Sequence, residues 1–359
     1  MNRRHALKPA LRALVAAVAV VSLAPAARAL TAEGAVHISA RTGPGNGTPF
    51  PCSLPTVVNG VGLKVLGQDC SVPGAGTAST SNRAVAQAPS VFNPLDPLNY
   101  RLAQLGARSS LGIEVHSYYG TGRSFNEPTT AVTAQASARF RDYLMLGSQR
   151  PASLQLSFHL SGDLHVDPAL AGTDNPYQLD AIYGVTAASG YQASDGVFAS
   201  SDPYAYGRVE VRRQLKQFGA TPTVLPWVNS RPGSAFTFTE TPNFFGGTIV
   251  RVVLGADFFS NPVSNLVLLE LGLTSSVHGP AWTFKDLAYG TVLTGKDLTA
   301  DFGSTFEMVG LQAFDAAGQD ITTSAVLGFQ SLQPVPEPQT WLLLAAGLVG
   351  VALRCRRPV

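Results

Sequence analysis

The chain has 359 residues, of which 45% are hydrophobic and only 13% are charged, a composition that supports a packed core and excludes wholesale disorder. Its formal net charge of +2 comes from its ends, because residues 1–29 carry five basic and no acidic residues and residues 339–359 carry three and none. The remaining 17 basic and 23 acidic residues give residues 30–338 a net charge of −6, which argues against a nucleic-acid partner.

The first 29 residues have the pattern of a signal peptide. Four basic residues precede the uncharged apolar run 13–23, namely Arg3, Arg4, Lys8 and Arg12. This run rises only about 16 Å as a helix, which is too short to span a bilayer. Small residues at Ala27 and Ala29 then suit signal peptidase. The pattern predicts export, cleavage after Ala29 and a mature chain that starts at Leu30.

Two of the three cysteines, Cys52 and Cys70, lie in the predicted exported part, and Cys355 lies near the C-terminal end. An oxidising compartment favours a disulfide between Cys52 and Cys70. The alternative is a zinc site, but no second close Cys or His pair accompanies these two. The sequence therefore predicts the disulfide and no metal or other cofactor.

Glycine, proline and small polar residues divide the exported part into segments. Residues 30–70 are rich in turn signals and are interpreted as a disulfide-tied flap, and residues 71–90 are interpreted as a linker. The main domain then extends from residue 91 to residue 330, which is a normal size for one β-rich domain.

Alternating apolar and polar residues dominate this domain, which is the pattern of half-buried strands. The clearest segments are residues 153–167, 234–240, 247–259, 264–276 and 304–315. The pattern predicts an all-β body, an antiparallel β-sandwich with jelly-roll-like connections. The main helical candidate is residues 207–219, although Val209 and Val211 would equally suit a strand.

One segment suggests a specific metal site. If Ser161, Gly162 and Asp163 form a three-residue hairpin loop, His159 pairs with His165 across the two strands. Opposed imidazoles would then be candidate ligands for a divalent metal, although two solvated histidines on an exposed face are the simpler interpretation.

Three other patterns leave further alternatives open. Residues 167–175 and 314–320 are rich in Asp and Gly, and they read as turns rather than calcium loops. Trp227, Trp282 and the tyrosines of residues 201–207 are candidates for stacking on sugars or for the core. The nucleophile-elbow, zinc-protease and phosphate-loop motifs do not occur in the sequence.

The C-terminal end combines three features in order. Residues 335–338 read Val335, Pro336, Glu337 and Pro338, and residues 341–353 form an uncharged apolar run that begins at Trp341. Three arginines follow, namely Arg354, Arg356 and Arg357. We expect a short transmembrane helix over residues 339–353, with the arginines as a cytoplasmic stop signal.

This tail, residues 334–359, resembles the PEP-CTERM sorting signal. The resemblance implies that Pro336, Glu337 and Pro338 are recognised by exosortase, a membrane-embedded transpeptidase-like enzyme of Gram-negative bacteria that make extracellular polysaccharide. It also implies transient anchoring by the helix, followed by transfer to the cell surface or outside the cell. Residues 300–322 loosely resemble the hairpin that often precedes such tails.

The sequence as a whole predicts a non-enzymatic cell-surface or matrix protein. The partners expected are signal peptidase, exosortase and exopolysaccharide. The alternative is a secreted protein that binds or acts on carbohydrate, for which a cleft with paired carboxylates would be the signature.

Overall fold

The computed structural model describes residues 35–44, 56–60, 64–72, 78–87, 103–117, 131–170, 177–189, 205–216, 219–230, 234–244, 246–260, 265–280, 282–288 and 290–329. The chain divides into two units, Met1–Glu33 and Gly34–Val359, and all described residues belong to the second.

These residues form strands with very little helix. The strands are β1 (Ala35–Pro44), β2 (Thr56–Gly60), β3 (Lys64–Val72), β4 (Ala78–Gln87), β5 (Gln104–Ser117), β6 (Ala131–Leu146), β7 (Ser153–Leu160), β8 (Asp163–Val166), β9 (Gln178–Ser189), β10 (Ala205–Lys216), β11 (Gly219–Ser230), β12 (Phe236–Pro242), β13 (Thr248–Gly255), β14 (Leu266–Pro280), β15 (Trp282–Lys285), β16 (Val292–Phe314) and β17 (Val326–Phe329). The helical pieces are α1 (Thr322–Ala325) and two 3₁₀ turns, Pro168–Leu170 and Ala256–Phe258.

The strands build two sheets. Sheet A has the order β11-β10-β9-β14-β6-β1-β2, with β17 also paired to β6. Sheet B has the order β12-β13-β7-β16-β5-β4-β3, with β15 paired to β5 and β8 paired to β16. Among the described pairs only β15 and β5 are parallel.

Each sheet buries one face because its strands alternate apolar and polar residues. In β7, for example, Leu154, Leu156, Phe158 and Leu160 are buried and the residues between them are partly exposed. Each of the five segments predicted as strands from this alternation contains at least one strand. The alternation of apolar and polar residues at a period of two therefore predicts these strands correctly.

The buried faces of the two sheets pack against each other. The ring of Tyr183 on β9 lies 5.6 Å from that of Phe306 on β16, so sheet A contacts sheet B through the core. Near this core, Oγ of Ser109 on β5 lies 3.0 Å from Oγ of Ser275 on β14. The predicted antiparallel sandwich is confirmed, and its jelly-roll connectivity stays a prediction.

The predicted hairpin at residues 161–163 is wrong. Strand β7 ends at Leu160 opposite Phe306, and β8 begins at Asp163 opposite Asp301, so both strands pair with β16 in the same direction. The chain continues past Gly162 instead of turning back. Gly162 has φ of 141°, and a β-carbon there would lie 2.6 Å from the carbonyl oxygen of Asp301. Glycine is therefore required for this close passage along β16.

The predicted linker is also wrong where the structure describes it. Within residues 71–90, Ala78–Gln87 forms β4, which pairs with β3 on one side and with β5 on the other. Its alternate residues Thr80, Asn82, Ala84 and Ala86 are buried. Small side chains are also typical of flexible segments, but here they fit beneath sheet A. Because β1 also pairs with β6, residues 30–90 contribute strands to both sheets and are not a separate flap.

Two further segments differ from expectation. The helical candidate, residues 207–219, forms most of β10, so the alternative based on Val209 and Val211 is the correct one. Residues 300–322 are mainly the end of the long strand β16, followed by a turn in which Phe314 bridges to Asp320. The described residues contain no helix long and apolar enough to cross a membrane, and the helix predicted over residues 339–353 lies outside them.

Candidate functional site

Most of the site residues predicted from the sequence lie outside the described part of the chain. These are the cleavage residue Ala29, the cysteine Cys52, the motif residues Val335, Pro336, Glu337 and Pro338, and the arginines Arg354, Arg356 and Arg357. Cys70 is described, and it is buried and disulfide-bonded. Its pairing with Cys52 stays a prediction.

The structure does not bring His159 and His165 together. Because β7 and β8 follow each other along β16, the two residues are six positions apart, or about 20 Å of extended chain. His159 donates a hydrogen bond from Nε2 to the carbonyl oxygen of Gly246 at 3.0 Å, and His165 lies opposite Thr299. Among the residues that the structure describes, no group of three or more His, Cys, Asp or Glu side chains could hold a metal ion.

The two Asp- and Gly-rich segments form turns where they are described. Oδ1 of Asp315 accepts hydrogen bonds from the backbone N–H groups of Ala317 and Gln319. Oδ1 of Asp167 likewise accepts from the N–H of Ala169 at 2.7 Å. These carboxylates therefore bind their own backbone, as the turn interpretation expected.

The outer face of sheet A carries an ordered array of polar side chains. Four neighbouring strands contribute to it, β6, β14, β9 and β10, whose register places their outward residues in rows across the sheet. The rows are Tyr143–Leu268–Ala188–Tyr206, Arg141–Glu270–Thr186–Arg208, Arg139–Gly272–Gly184–Glu210, Ser137–Thr274–Ile182–Arg212, Gln135–Ser276–Asp180–Gln214 and Thr133–His278–Gln178–Lys216. We call these residues the polar face.

The middle of the polar face forms a shallow depression because two glycines lie there, without side chains. Gly272 and Gly184 are direct partners on β14 and β9, and a β-carbon on Gly272 would meet nothing within 4 Å. Longer side chains flank this pair, with Arg139 on β6 and Glu210 on β10. Since β6 and β10 are three strand spacings apart, the shallow trough between them is about 14 Å wide.

Arginine and carboxylate side chains form ion pairs along the trough. Nη2 of Arg208 lies 2.6 Å from Oε2 of Glu210, and Nε of Arg139 lies 3.5 Å from Oε1 of Glu270. The arginines of these pairs are 44% and 58% exposed. The trough therefore presents guanidinium N–H donors and carboxylate acceptors side by side on a partly exposed surface.

A buried carboxylate holds one end of the polar face together. Asp180 is 6% exposed, and it accepts hydrogen bonds from Nε of Arg212 at 2.8 Å and from Nε2 of Gln214 and of Gln178, each at 2.6 Å. Burial alone raises the pKa of Asp180, but these hydrogen bonds and the Arg212 charge outweigh it, so the pKa lies below its ordinary value. Asp180 is therefore ionised at neutral pH and fixes the neighbouring side chains.

We expect Asp180→Asn to lower the free energy of unfolding at pH 7 by about 2 kcal/mol, because a buried hydrogen-bonded charge is lost. The folded pKa is depressed, so the stabilisation is present above the unfolded pKa near about 4 and disappears as the pH falls through the folded pKa. Urea denaturation should show the difference between wild type and variant shrinking towards pH 3. Glu210→Gln, a change at a partly exposed position of the same face, should cost less than about 1 kcal/mol.

Of the aromatic residues predicted to stack on sugars, Tyr206 is described and lies at one end of the polar face. It packs with Tyr143 against the buried pair Ala188 and Leu268. The side chains of Trp227 and Trp282 lie outside the described residues.

The sequence predictions missed the polar face as a unit. Its signal was present, because Arg208, Glu210 and Arg212 recur at a spacing of two on β10. The charges and the closing glycine of residues 207–219 also suit a helix, which competes with this alternation. The residues that pair with Arg208, Glu210 and Arg212 on β6, β9 and β14 depend on the register between strands, and the sequence of a single strand does not specify that register.

The described part of the chain is thus a β-sandwich with an ordered polar face. The C-terminal segment of the chain, which lies outside the described residues, indicates how the protein is sorted. Residues 334–357 match the family model of the PEP-CTERM protein-sorting motif. The chain therefore carries this motif, as its resemblance predicted, and the motif indicates an exported protein that an exosortase sorts. No curated protein and no solved structure matches the chain.

Proposed function

We propose that the protein is a non-catalytic component of the cell surface or extracellular matrix, and that its polar face binds acidic exopolysaccharide. The signal peptide and the short C-terminal helix serve its export and transient anchoring. The sorting motif at residues 334–357 supports delivery to the surface.

The charge of the polar face carries this proposal. Residues 30–338 have a net charge of −6, yet the rows of the polar face contain five basic and three acidic residues: Arg139, Arg141, Arg208, Arg212 and Lys216 against Asp180, Glu210 and Glu270. A locally basic surface attracts an acidic polymer, which the net negative charge of the rest of the body would repel. The neutral side chains of the trough add hydrogen bonds for hydroxyl groups.

The same geometry favours binding over catalysis. The Asp180 carboxylate accepts three hydrogen bonds and its pKa is lowered, whereas a general acid at neutral pH needs a raised pKa. The ion pairs Arg208–Glu210 and Arg139–Glu270 likewise hold their carboxylates beside arginines. Fixed pairs of this kind position a ligand.

A binding measurement tests the proposal. Full-length protein in mild detergent is titrated onto immobilised exopolysaccharide from the host. The double variant Arg139→Gln and Arg208→Gln should bind at least about tenfold more weakly, since each charged hydrogen bond contributes about 1.5 kcal/mol or more. Raising NaCl from about 0.1 M to about 1 M should also weaken wild-type binding, because the Debye length falls from about 10 Å to about 3 Å.

A matched control tests whether a loss of binding is specific to the polar face or follows from removing any two positive charges. Arg108 and Arg251 lie on exposed positions of sheet B, and their double Gln variant removes the same charge from the opposite side. We expect it to bind within about twofold of wild type, since it leaves the polar face intact. Equal losses in both double variants, or wild-type protein that does not bind, would contradict the proposal.

A further inference from the structure

The outer face of sheet B carries four aspartates, on or directly after β8 and on β16. They alternate along the chain with residues of the core. Leu164 and Val166 of β8 pack against buried core residues, and Leu298 and Ala300 of β16 are themselves buried. The aspartates beside them therefore point outward. We call these four residues the acidic face: Asp163, Asp167, Asp297 and Asp301.

The strand register places these carboxylates in two like-charged pairs. Asp163 on β8 is opposite Asp301 on β16. Further along, the backbone N–H of Asp167 donates a hydrogen bond to the carbonyl oxygen of Asp297 at 2.9 Å, so these two residues are also neighbours across the strands. Like charges directly opposite each other destabilise an antiparallel pair. Burial and the charge of Asp167 raise the pKa of Asp297, which agrees with this crowding of carboxylates.

Neighbouring basic residues neutralise the acidic face only in part. Nε of Arg108 lies 3.4 Å from Oδ2 of Asp301, and Nζ of Lys296 lies 3.8 Å from Oδ2 of Asp167. Asp163 and Asp297 form no ion pair with any other residue that the structure describes. Four negative charges therefore stand against two positive ones on this surface, and an additional positive charge placed over it would be attracted.

The polar face on the opposite side of the sandwich has the complementary charge at a matching spacing. Its basic residues Arg208, Arg212 and Lys216 follow one another on β10 at intervals of four residues, which is about 13 Å of strand. The two carboxylate pairs of the acidic face are likewise four residues apart on each strand. Sheets that pack face to face keep their strands within about 30° of each other, so two basic residues of β10 can meet both pairs at once.

We propose that the acidic face of one copy of the protein docks on the polar face of a second copy. Opposite charges at matching positions favour this partner and fix its register. The two surfaces lie on opposite sides of the sandwich, so each docked copy leaves one face open for the next. A contact between two different surfaces of this kind does not close into a dimer, and it produces an open stack of sandwiches.

Stacking goes beyond the binding of exopolysaccharide, although both use the polar face. A stack needs the acidic face of sheet B as well, whereas the polymer needs only the polar face of sheet A. An acidic polymer should therefore compete with the second copy and shorten the stacks. Stacking of the protein alone gives a matrix component a way to assemble without the polymer.

Sedimentation velocity of the full-length protein tests the stacking, in a neutrally buoyant nonionic detergent, without polysaccharide and with EDTA to remove bridging divalent cations. Wild-type protein should form species larger than a dimer at about 0.01 M NaCl and lose them at about 1 M, because the Debye length falls from about 30 Å to about 3 Å. Asp163→Asn with Asp301→Asn keeps the side-chain oxygens that accept backbone hydrogen bonds and removes two charges. Its self-association should weaken by about fivefold or more.

Two control variants change charge in other ways. Asp315→Asn with Asp320→Asn removes two carboxylates that also accept backbone hydrogen bonds, but they lie in the turn after β16, outside the acidic face. This variant should associate as wild type does. Arg108→Gln removes a positive charge beside Asp301, so it should strengthen self-association by about twofold.

Mixing two variants tests which surfaces meet. The variant Asp163→Asn with Asp301→Asn retains its polar face, and the variant Arg139→Gln with Arg208→Gln retains its acidic face. Each variant alone should self-associate more weakly than wild type. Mixed together, they should form one-to-one complexes with the affinity of a wild-type contact, and these complexes should not grow into longer stacks.

Three results would overturn the stacking: wild-type protein that stays monomeric at low salt, association that salt does not weaken, or equal losses in the Asp163–Asp301 and Asp315–Asp320 variants. Association through the detergent-bound C-terminal helix would give the second of these results. Failure here is distinguishable from failure of the proposed function. The variant Asp163→Asn with Asp301→Asn should bind exopolysaccharide as wild type does, because its polar face is unchanged.

Discussion

Replacing Pro336, Glu337 and Pro338 together with alanine is expected to abolish display of the protein at the cell surface. The prolines fix φ and keep the segment extended and poor in internal hydrogen bonds, so that an enzyme cleft can bind it. Glu337 supplies the one charge between them. Losing these features should reduce the surface-exposed fraction by at least about tenfold, and the protein should remain with the inner membrane.

Surface proteolysis and cell fractionation of the native host measure this fraction. The matched control changes Gln339 and Thr340 to alanine, which alters two polar residues beside the motif and leaves its prolines and glutamate intact. The control should reach the surface as wild type does. Surface exposure of the triple-alanine protein at wild-type level would show that residues 336–338 do not direct sorting.

The second large effect is expected in the core, at Phe306. This residue is fully buried on β16, and its ring lies 5.3 Å from that of Phe158 and 5.6 Å from that of Tyr183. It therefore joins neighbouring strands of sheet B and bridges to sheet A. Phe306→Ala should lower the free energy of unfolding by about 4 kcal/mol, because it removes apolar contacts and leaves a cavity.

Thermal unfolding of the full-length protein checks this, with a fall in Tm of about 10 °C. Val309 offers a control on the same strand, since its side chain is 41% exposed and points away from the core. Val309→Ala should cost less than about 1 kcal/mol. Similar losses of stability in the two variants would mean that β16 does not bury the face that carries Phe306.

Much of the sandwich was predictable because a strand with one buried face must alternate. Each of the five alternating segments contains a strand, and residues such as Leu156 and Phe158 face the core as their period requires. The same rule, applied to β10 and β12, would have placed Arg213 and Glu240 on the buried side. Two charges at inward positions were the available signal for the Arg213–Glu240 ion pair between the sheets.

The predictions were wrong where small or turn-forming residues suit two different local structures. Glycine at position 162 suggested a turn, but its freedom of φ instead allows the chain to pass close to Asp301 and continue along β16. Alanine, serine and threonine in β4 suggested a linker, yet small side chains also suit a strand packed closely beneath another sheet. Residue preferences alone do not separate these alternatives, because the facing sheet decides them.

The polar face and the ion pair between Arg213 and Glu240 depend on contacts between distant parts of the chain. Asp180 meets Arg212 through the register of β9 and β10, and Arg213 meets Glu240 through the packing of the two sheets. Neither pairing has a local sequence signature. The sorting motif is the opposite case, since its recognition elements are contiguous, and the sequence alone identified it correctly.

Surface display in host cells with and without the exosortase tests the central claim most directly. Protease accessibility of the full-length protein is compared in the two strains, with another secreted protein as the reference for intact export. The account predicts that the protein is surface-exposed in the parent strain and is retained at the inner membrane when the exosortase is absent. Equal surface exposure in both strains would contradict it.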